Sequence, residues 1–409
     1  LQTGSIGRCQ DTYGSCRNSL QPMSSLRQVT RRSILVVTRN YPPLTGGMER
    51  LMQHSVDTLA SRFDVTLIGP TGCSEFTPQT VTTIECSPAP LSFLTAAILR
   101  GWRAARMTSF DLVLAGSGLV APVTLILSKI AKAYSVVLVH GLDLVVDNVV
   151  YQRIFVPFIR RHELVIANSQ NTRRIAIDKG CPSSRVVVVN PGSAMPPESM
   201  LNDRNRIRSE LGFSDKKIIL FVGRMVRRKG LAEFLEKAWA RVRSERPDAL
   251  LLVAGDSPDG ALLQDPEGAK RLIAATERFG SDAVRFLGAV EDDVLWNCYA
   301  AADVLIFPLI RVHGDVEGFG MVAIEAAASG TPTVAFPVGG VVDAVSDGVS
   351  GRLVPEGDYD AFAKAVVSVC NGGPPSRSDC RDHAKRFDLH VHGENLLRAV
   401  DFSVGTTSQ

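Results

Sequence analysis

From Ser33 onward, short apolar runs rich in β-branched residues alternate with stretches whose apolar positions recur every three to four residues. Ser33–Thr38 (SILVVT) shows no polar alternation, the pattern of a strand covered on both faces. After a Pro/Gly loop, Met48–Arg62 places Leu51, Met52, Val56, Leu59 and Ala60 on one helical face. Further strands are predicted at Val65–Ile68, Val81–Ile84, Leu112–Ala115, Val136–Val139, Leu164–Ala167 and Val186–Val189. Pro191–Pro197, with its prolines and glycine, breaks the pattern as a linker. The alternation restarts with strands at Ile218–Val222, Leu250–Ala254, Val284–Leu287, Val304–Phe307, Thr333–Phe336 and Arg352–Val354. Strand–helix alternation repeated in this way predicts an α/β protein. It would have two Rossmann-like, doubly wound parallel-sheet domains facing each other across a cleft at the carboxyl ends of their strands.

The expected boundaries are 33–195 and 196–385, with 386–409 forming a helix and tail that pack back on the N-terminal domain. Residues 1–32 are Ser/Gln/Arg-rich and aperiodic; they are expected to be disordered, lack the apolar core of a signal peptide, and include Met23 as a second candidate start. No stretch reaches the ~18 uninterrupted apolar residues of a membrane span.

Charge changes this picture only modestly. The net charge of +3 argues against a dedicated nucleic-acid binder. It is unevenly spread: residues 1–195 carry a net +9 and residues 196–409 a net −6. The eight cysteines form no CxxC pair, which fits reduced thiols in a cytosolic chain better than a disulfide framework or zinc site.

Four segments carry candidate chemistry. Tyr41–Glu49 (YPPLTGGME) joins a strand to a helix. Gly46 and Gly47 stand where free amides and the helix dipole favour an anion, although a tight turn would use the same residues. Gly223–Gly230 (GRMVRRKG) puts Arg224 and Lys229 in one loop, a planar fork and a mobile ammonium suited to a diphosphate. Arg227 and Arg228 are expected to be solvated. Glu317–Glu325 (EGFGMVAIE) frames a Gly-Phe-Gly turn with two glutamates. Glu317 would lie in the loop, the turn amides would open a helix, and Glu325 inside it could accept two hydrogen bonds from a ribose diol. His140-Gly-Leu-Asp143 ends a strand, so His140 should face the cleft; Asp143 is either a helix N-cap or a ligand contact.

Together these motifs resemble the GT-B glycosyltransferases of the family-4 group, over roughly residues 33–400. The markers are the Pro-Pro…Gly-Gly loop, His140-Gly, Ala167-Asn-Ser169, Gly223-Arg…Lys-Gly230, Val253-Ala-Gly255 and Glu317…Glu325. Asp315-Val-Glu-Gly318 resembles the phosphatidylinositol-monomannoside mannosyltransferase branch. The resemblance implies transfer of a sugar from a nucleotide-diphosphate donor, with retention, to a hydroxyl of a lipid-linked or polysaccharide acceptor. It implies that Arg224 and Lys229 hold the diphosphate, with Gly47 letting its backbone approach. Glu325 would hold the ribose, Glu317 with the Phe319 and Gly320 amides would address the sugar, and His140 would sit at the reacting centre. Leu142 and Asp143 depart from the pattern of many relatives, which carry a Glu after the His-Gly, so the resemblance leaves Asp143 open between a structural role and a contact to sugar or acceptor.

No cofactor and no metal are expected. The developing charge on a nucleoside diphosphate can be met by cations and helix amides. The only DxD, Asp358-Tyr-Asp360, stands at a helix start as an N-cap. Two segments, Pro90–Arg106 and Tyr151–Arg161, mix apolar residues with arginines. Each is either a crossover helix or a surface for an anionic membrane, which would make the chain peripheral on the inner face. The competing readings are a nucleotide-sugar epimerase or hydrolase on the same fold, and a non-catalytic sugar-binding subunit. A dinucleotide oxidoreductase is disfavoured because no GxGxxG follows Ser33–Thr38 or Ile218–Val222.

Overall fold

A computed structural model describes residues 31–255 and 266–405; the extension expected at 1–32 lies almost wholly outside them. Among the described residues, thirteen strands form two sheets in which every pairing is parallel. The first sheet holds β1 (Ser33–Val37), β2 (Asp64–Pro70), β3 (Thr82–Cys86), β4 (Leu112–Ala115), β5 (Tyr134–Val139), β6 (Leu164–Ala167) and β7 (Val186–Val188). Its order is β3-β2-β1-β4-β5-β6-β7. The second holds β8 (Lys217–Val222), β9 (Ala249–Ala254), β10 (Val284–Gly288), β11 (Val304–Phe307), β12 (Thr333–Ala335) and β13 (Gly351–Leu353), in the order β10-β9-β8-β11-β12-β13.

Each sheet reverses direction of growth at its first strand, between β1 and β4 and between β8 and β11. Loops at such points open a crevice beyond the strand ends. The strands read as unbroken apolar runs because both faces are covered. Leu35, Val36 and Val37 are buried, and alternate residues of β1 enter the two separate clusters on either side of the sheet.

The chain crosses to the second sheet through an extended segment, where Ser193 N donates to Phe387 O at 2.8 Å. It comes back as the helix Leu389–Gly405. Leu396 and Val400 of that helix join the core of the first sheet, a burial of about 1.5–3 kcal/mol each. His54 Nε2 bonds Leu389 O and His392 Nδ1 bonds Asn190 O at the same junction, both at 2.8 Å.

Two further contacts tie the halves together. Arg50 pairs with Asp292 at 2.7 Å, and Asp343 Oδ2 accepts from Gln170 N at 2.8 Å, at the start of the helix Gln170–Asp178. The six described cysteines are buried free thiols, and burial raises the pKa of each; Cys9 and Cys16 lie outside the described residues.

Candidate functional site

The loop after β8 folds Lys229 inward to 7% exposure. Its Nζ lies 2.8 Å from Glu317 Oε2 and 4.7 Å from the centre of the Phe307 ring. Burial pushes the lysine below the ordinary range, only partly offset by Glu317 and aggravated by Arg228 and Arg224. Burial alone would raise Glu317, but Lys229 and Arg228 beside it hold the carboxyl below the usual glutamate range.

Arg228 corrects the sequence reading. It is not solvated: its side chain is only 14% exposed, with Nη1 3.2 Å from Asp315 Oδ2 and Nε 3.5 Å from Glu317 Oε2. The loop's short 3-10 turn at Arg227–Lys229 rotates Arg228 toward β11's loop and leaves Arg227 exposed. Arg224 is exposed beside this group, close enough to add to the field on Lys229.

The loop after β11 delivers the two glutamates. Gly320 opens the helix Met321–Ala328 at φ +104, a conformation that excludes most side chains, and no side chain caps the helix amides. Phe319 is buried against Phe387, so the turn is anchored by an aromatic contact (centroids 5.6 Å apart) and its amides are held rigid. Glu325 is reached by a residue that the motif reading missed. Tyr299, fully buried on the helix Asp292–Ala301, donates to Glu325 Oε2 at 2.7 Å. Burial raises the carboxyl of Glu325, and this hydrogen bond opposes the rise. Burial drives the Tyr299 hydroxyl well above its ordinary range, so it keeps its proton and can donate to the glutamate. One glutamate oxygen is thereby fixed. Tyr299→Phe should therefore weaken nucleoside diphosphate binding by about tenfold, the worth of one hydrogen bond to a charged group. A nucleotide titration of the variant checks this.

His140 directly follows β5 and is 9% exposed. Its Nε2 lies 2.9 Å from Gly116 O. A carbonyl can only accept, so Nε2 carries the hydrogen and Nδ1 is the nitrogen left for a ligand. Asp143 corrects one of its two expected roles. It is not an N-cap, since Gly141 precedes the short helix Leu142–Val145. Instead its Oδ2 accepts from the backbone amides of His140 at 3.1 Å and Gly118 at 3.2 Å, joining the ends of β4 and β5.

Gly46, at φ +153, carries the unusual backbone of the first loop, where a Cβ would strike the Glu49 carboxylate; a Cβ on Gly47 would meet no protein atom within 4 Å. The helix Gly47–Ala60 starts without a side-chain cap, leaving its first amides for another partner.

The two halves of the site meet at Gly318. A Cβ there would overlap the His140 carbonyl oxygen, which Asn168 Nδ2 also approaches at 3.4 Å. The glycine allows the Glu317 loop to lie directly on the end of β5. His140, Lys229, Arg228 and Glu317 are thereby brought together. The DxD stands apart from them. Asp358 caps the helix Tyr359–Cys370 through Ala361 N at 2.8 Å, and Asp360 pairs with Arg241 at 3.0 Å.

Residues 203–387 match the family described as glycosyl transferases group 1, and residues 45–193 match glycosyltransferase family 4. The chain belongs to the GT-B glycosyltransferases of family 4. Among curated family members, it is 35% identical over 240 residues to the D-inositol 3-phosphate glycosyltransferase of Geodermatophilus obscurus, 58% of this chain and 51% of that protein. The enzyme of the same name from Streptomyces avermitilis is 31% identical over 300 residues, 69% of this chain and 62% of that protein. The chain thus spans about half the length of the first of these relatives.

The GT-B fold is shared with Anabaena Alr3699/HepE, solved with UDP: TM-score 0.73 at 21% identity, covering 90% of this chain and 99% of that one. Sucrose-phosphate synthase from Thermosynechococcus elongatus superposes with TM-score 0.73 at 20% identity, covering 92% of this chain and 100% of that one.

Proposed function

We propose that the chain transfers a sugar from a nucleotide-diphosphate donor to an acceptor hydroxyl, with retention of configuration and without a metal. The buried Lys229–Glu317 pair, pressed against the end of β5 at Gly318, carries this reading. In it, Lys229 and Arg224 face the diphosphate, with the free amides at Gly47 and Gly320 as further donors. Glu325 holds the ribose, and Glu317 and the Phe319 amide address the sugar. The bond from sugar C1 to the phosphate oxygen breaks, its electron pair staying with the nucleoside diphosphate. The acceptor oxygen bonds C1 from the same face and its proton passes to the departing oxygen. Cations and fixed amides aimed at that oxygen stabilise the transition state more than the ground state. Glu317, already paired with two cations, is suited to orient sugar hydroxyls rather than to attack C1. His140 Nδ1 is suited to accept a hydroxyl of the sugar.

A D-inositol 3-phosphate activity in the relatives' names supports a phosphorylated cyclitol as acceptor. Neighbours solved with UDP and UDP-glucose make uridine nucleotides the first donors to try. Incubating the chain with UDP-, GDP- and ADP-sugars and inositol 3-phosphate in EDTA should yield a glycoside of unchanged anomeric configuration by NMR. Complete loss in EDTA that Mn²⁺ restores would remove the metal-free mechanism.

A second reading of the acceptor, a lipid-linked one reached at a membrane surface, has its own observation. Among the described residues no helix is long and apolar enough to cross a membrane. The helix Pro90–Met107 buries Phe93, Ala97 and Gly101 but leaves Leu91, Leu99, Trp102 and Met107 exposed, with Arg106 stacked 4.4 Å over Trp102. An apolar strip beside arginines suits an anionic lipid surface. Flotation with anionic vesicles should recover the chain at low salt and release it at high salt; absence from the floating fraction at low salt rejects this reading.

A further inference from the structure

Beyond the donor residues, the cleft continues into a cavity of about 530 Å³ between the helix Gln170–Asp178 and the segment Leu309–Glu317. Its size is that of a small-molecule pocket. Its wall includes Glu317 and Arg228, so it opens on the carboxylate assigned to the transferred sugar. The segment that shapes it is pinned rather than loose. Ile310 N donates to Arg228 O at 2.9 Å, Val312 bridges Asp315, and Asp315 pairs with Arg228.

Charge in this cavity is unevenly neutralised. Arg228 has two carboxylates beside it. Lys179, just beyond the helix, has only a neutral partner among the described residues, donating to Gln152 Oε1 at 2.8 Å. Arg311 is 70% exposed and shares one surface contact with Glu356. Lys179 thus offers cationic charge that no carboxylate among the described residues cancels, Arg311 offers charge shared with one exposed carboxylate, and the same lining holds the carboxylates of Asp315 and Glu317. Val145, Ile175 and Val338 supply apolar surface between them. A ring with an anion at one position and free hydroxyls elsewhere matches both.

We propose that this cavity is the acceptor subsite, taking a phosphorylated ring whose phosphate is held by Lys179 and Arg311 and whose hydroxyl is presented beside Glu317. The proposal rests on the glycosyltransferase reading above. The phosphate can belong to a free cyclitol phosphate or to a lipid headgroup, and the test separates the two.

With a saturating nucleoside diphosphate present, the affinities of inositol 3-phosphate, myo-inositol and phosphatidylinositol vesicles are measured by calorimetry. The chains used are the wild type, Lys179→Met, Arg311→Glu and Val312→Trp. Inositol 3-phosphate or the vesicles should bind at least about tenfold more tightly than myo-inositol, whichever binds identifying the source. Each variant should weaken that binding by about tenfold or more while nucleotide affinity stays within about twofold. Arg311 is exposed, so its variant keeps the test valid if the others fold poorly. Unchanged binding in all three variants overturns the subsite, as does nucleotide binding with no preference for a phosphorylated probe. Failure of every nucleoside diphosphate to bind the wild type would instead overturn the glycosyltransferase reading.

Discussion

Replacing Lys229 with alanine should lower kcat/KM by about 10²–10³-fold, the usual cost of one group stabilising a leaving charge. The lysine is buried and bonded to Glu317, so the substitution also exposes a structural risk. Breaking a buried pair by removing one partner costs about 3–5 kcal/mol, because the remaining charge is stranded. Arg228, 3.5 Å from the same carboxylate, limits that cost here. The double variant Lys229→Met/Glu317→Gln separates the effects. It removes both charges and should recover most of the stability lost by the single variant, measured by urea unfolding, while activity stays low. Recovery of activity together with stability would mean that Lys229 only supports the fold. The pH dependence follows from the same burial. Lys229 is held below the ordinary lysine range, so donor affinity should begin to fall at a lower pH than an exposed lysine would allow.

The strands were the most legible part of the chain. A parallel sheet covered on both faces leaves an uninterrupted apolar signature, and Ser33–Thr38, Leu112–Ala115 and Leu164–Ala167 needed no other information. The site was legible where one loop carries its own chemistry, as in Glu317-Gly-Phe-Gly320. It was opaque where function depends on residues distant along the chain. Tyr299 lies 26 positions before the glutamate it orients, inside a helix that reads as ordinary core. Its hydroxyl on an otherwise apolar face was the available signal, since a buried phenol needs a partner. Arg228 is opaque for the complementary reason: with Arg227 it reads as a solvated cation until Asp315 and Glu317, 87 and 89 positions later, are brought beside it.

The charge asymmetry likewise changed meaning. The acidic half supplies the cations assigned to the donor, and Arg228, Asp315 and Glu317 show that local pairing, not net charge, sets the field in the cleft. What remains unmatched is local too: Lys179 comes from the basic half, and the partner it has, Gln152, is neutral.

Acidification from about pH 7 to pH 4 should draw about 6 kcal/mol of stability from two buried histidines, about 3 from each, opposed in part by Glu325, Asp57 and Asp343, whose carboxyls burial raises. His162, with no exposure, hydrogen-bonds Phe158 O through Nδ1 and meets Thr124 Oγ1 at 3.1 Å; burial lowers its pKa to about 4. His392, 4% exposed, bonds Asn190 O and faces His54, and burial lowers it to about 4 as well. An unfolded histidine takes its proton near pH 6.5. Above that value neither state gains. Between about 6.5 and 4 the unfolded chain binds protons that the fold refuses, so stability is full at neutral pH and falls through this window. Glu317 and Asp303, held low by neighbouring cations after burial has opposed them, release their contribution only at more acidic pH. Urea midpoints measured across the window should show the loss, and His392→Asn should remove about half of its slope. The location gives the loss a functional edge. His392 fastens the helix Leu389–Gly405 to the end of the first sheet, beside the crossing between domains. Its protonation should free that helix before either sheet opens, so hydrogen exchange at Leu396 and Val400 should rise at mildly acid pH while β1 and β8 stay protected. Simultaneous exchange of the helix and both strands would place the first acid transition elsewhere.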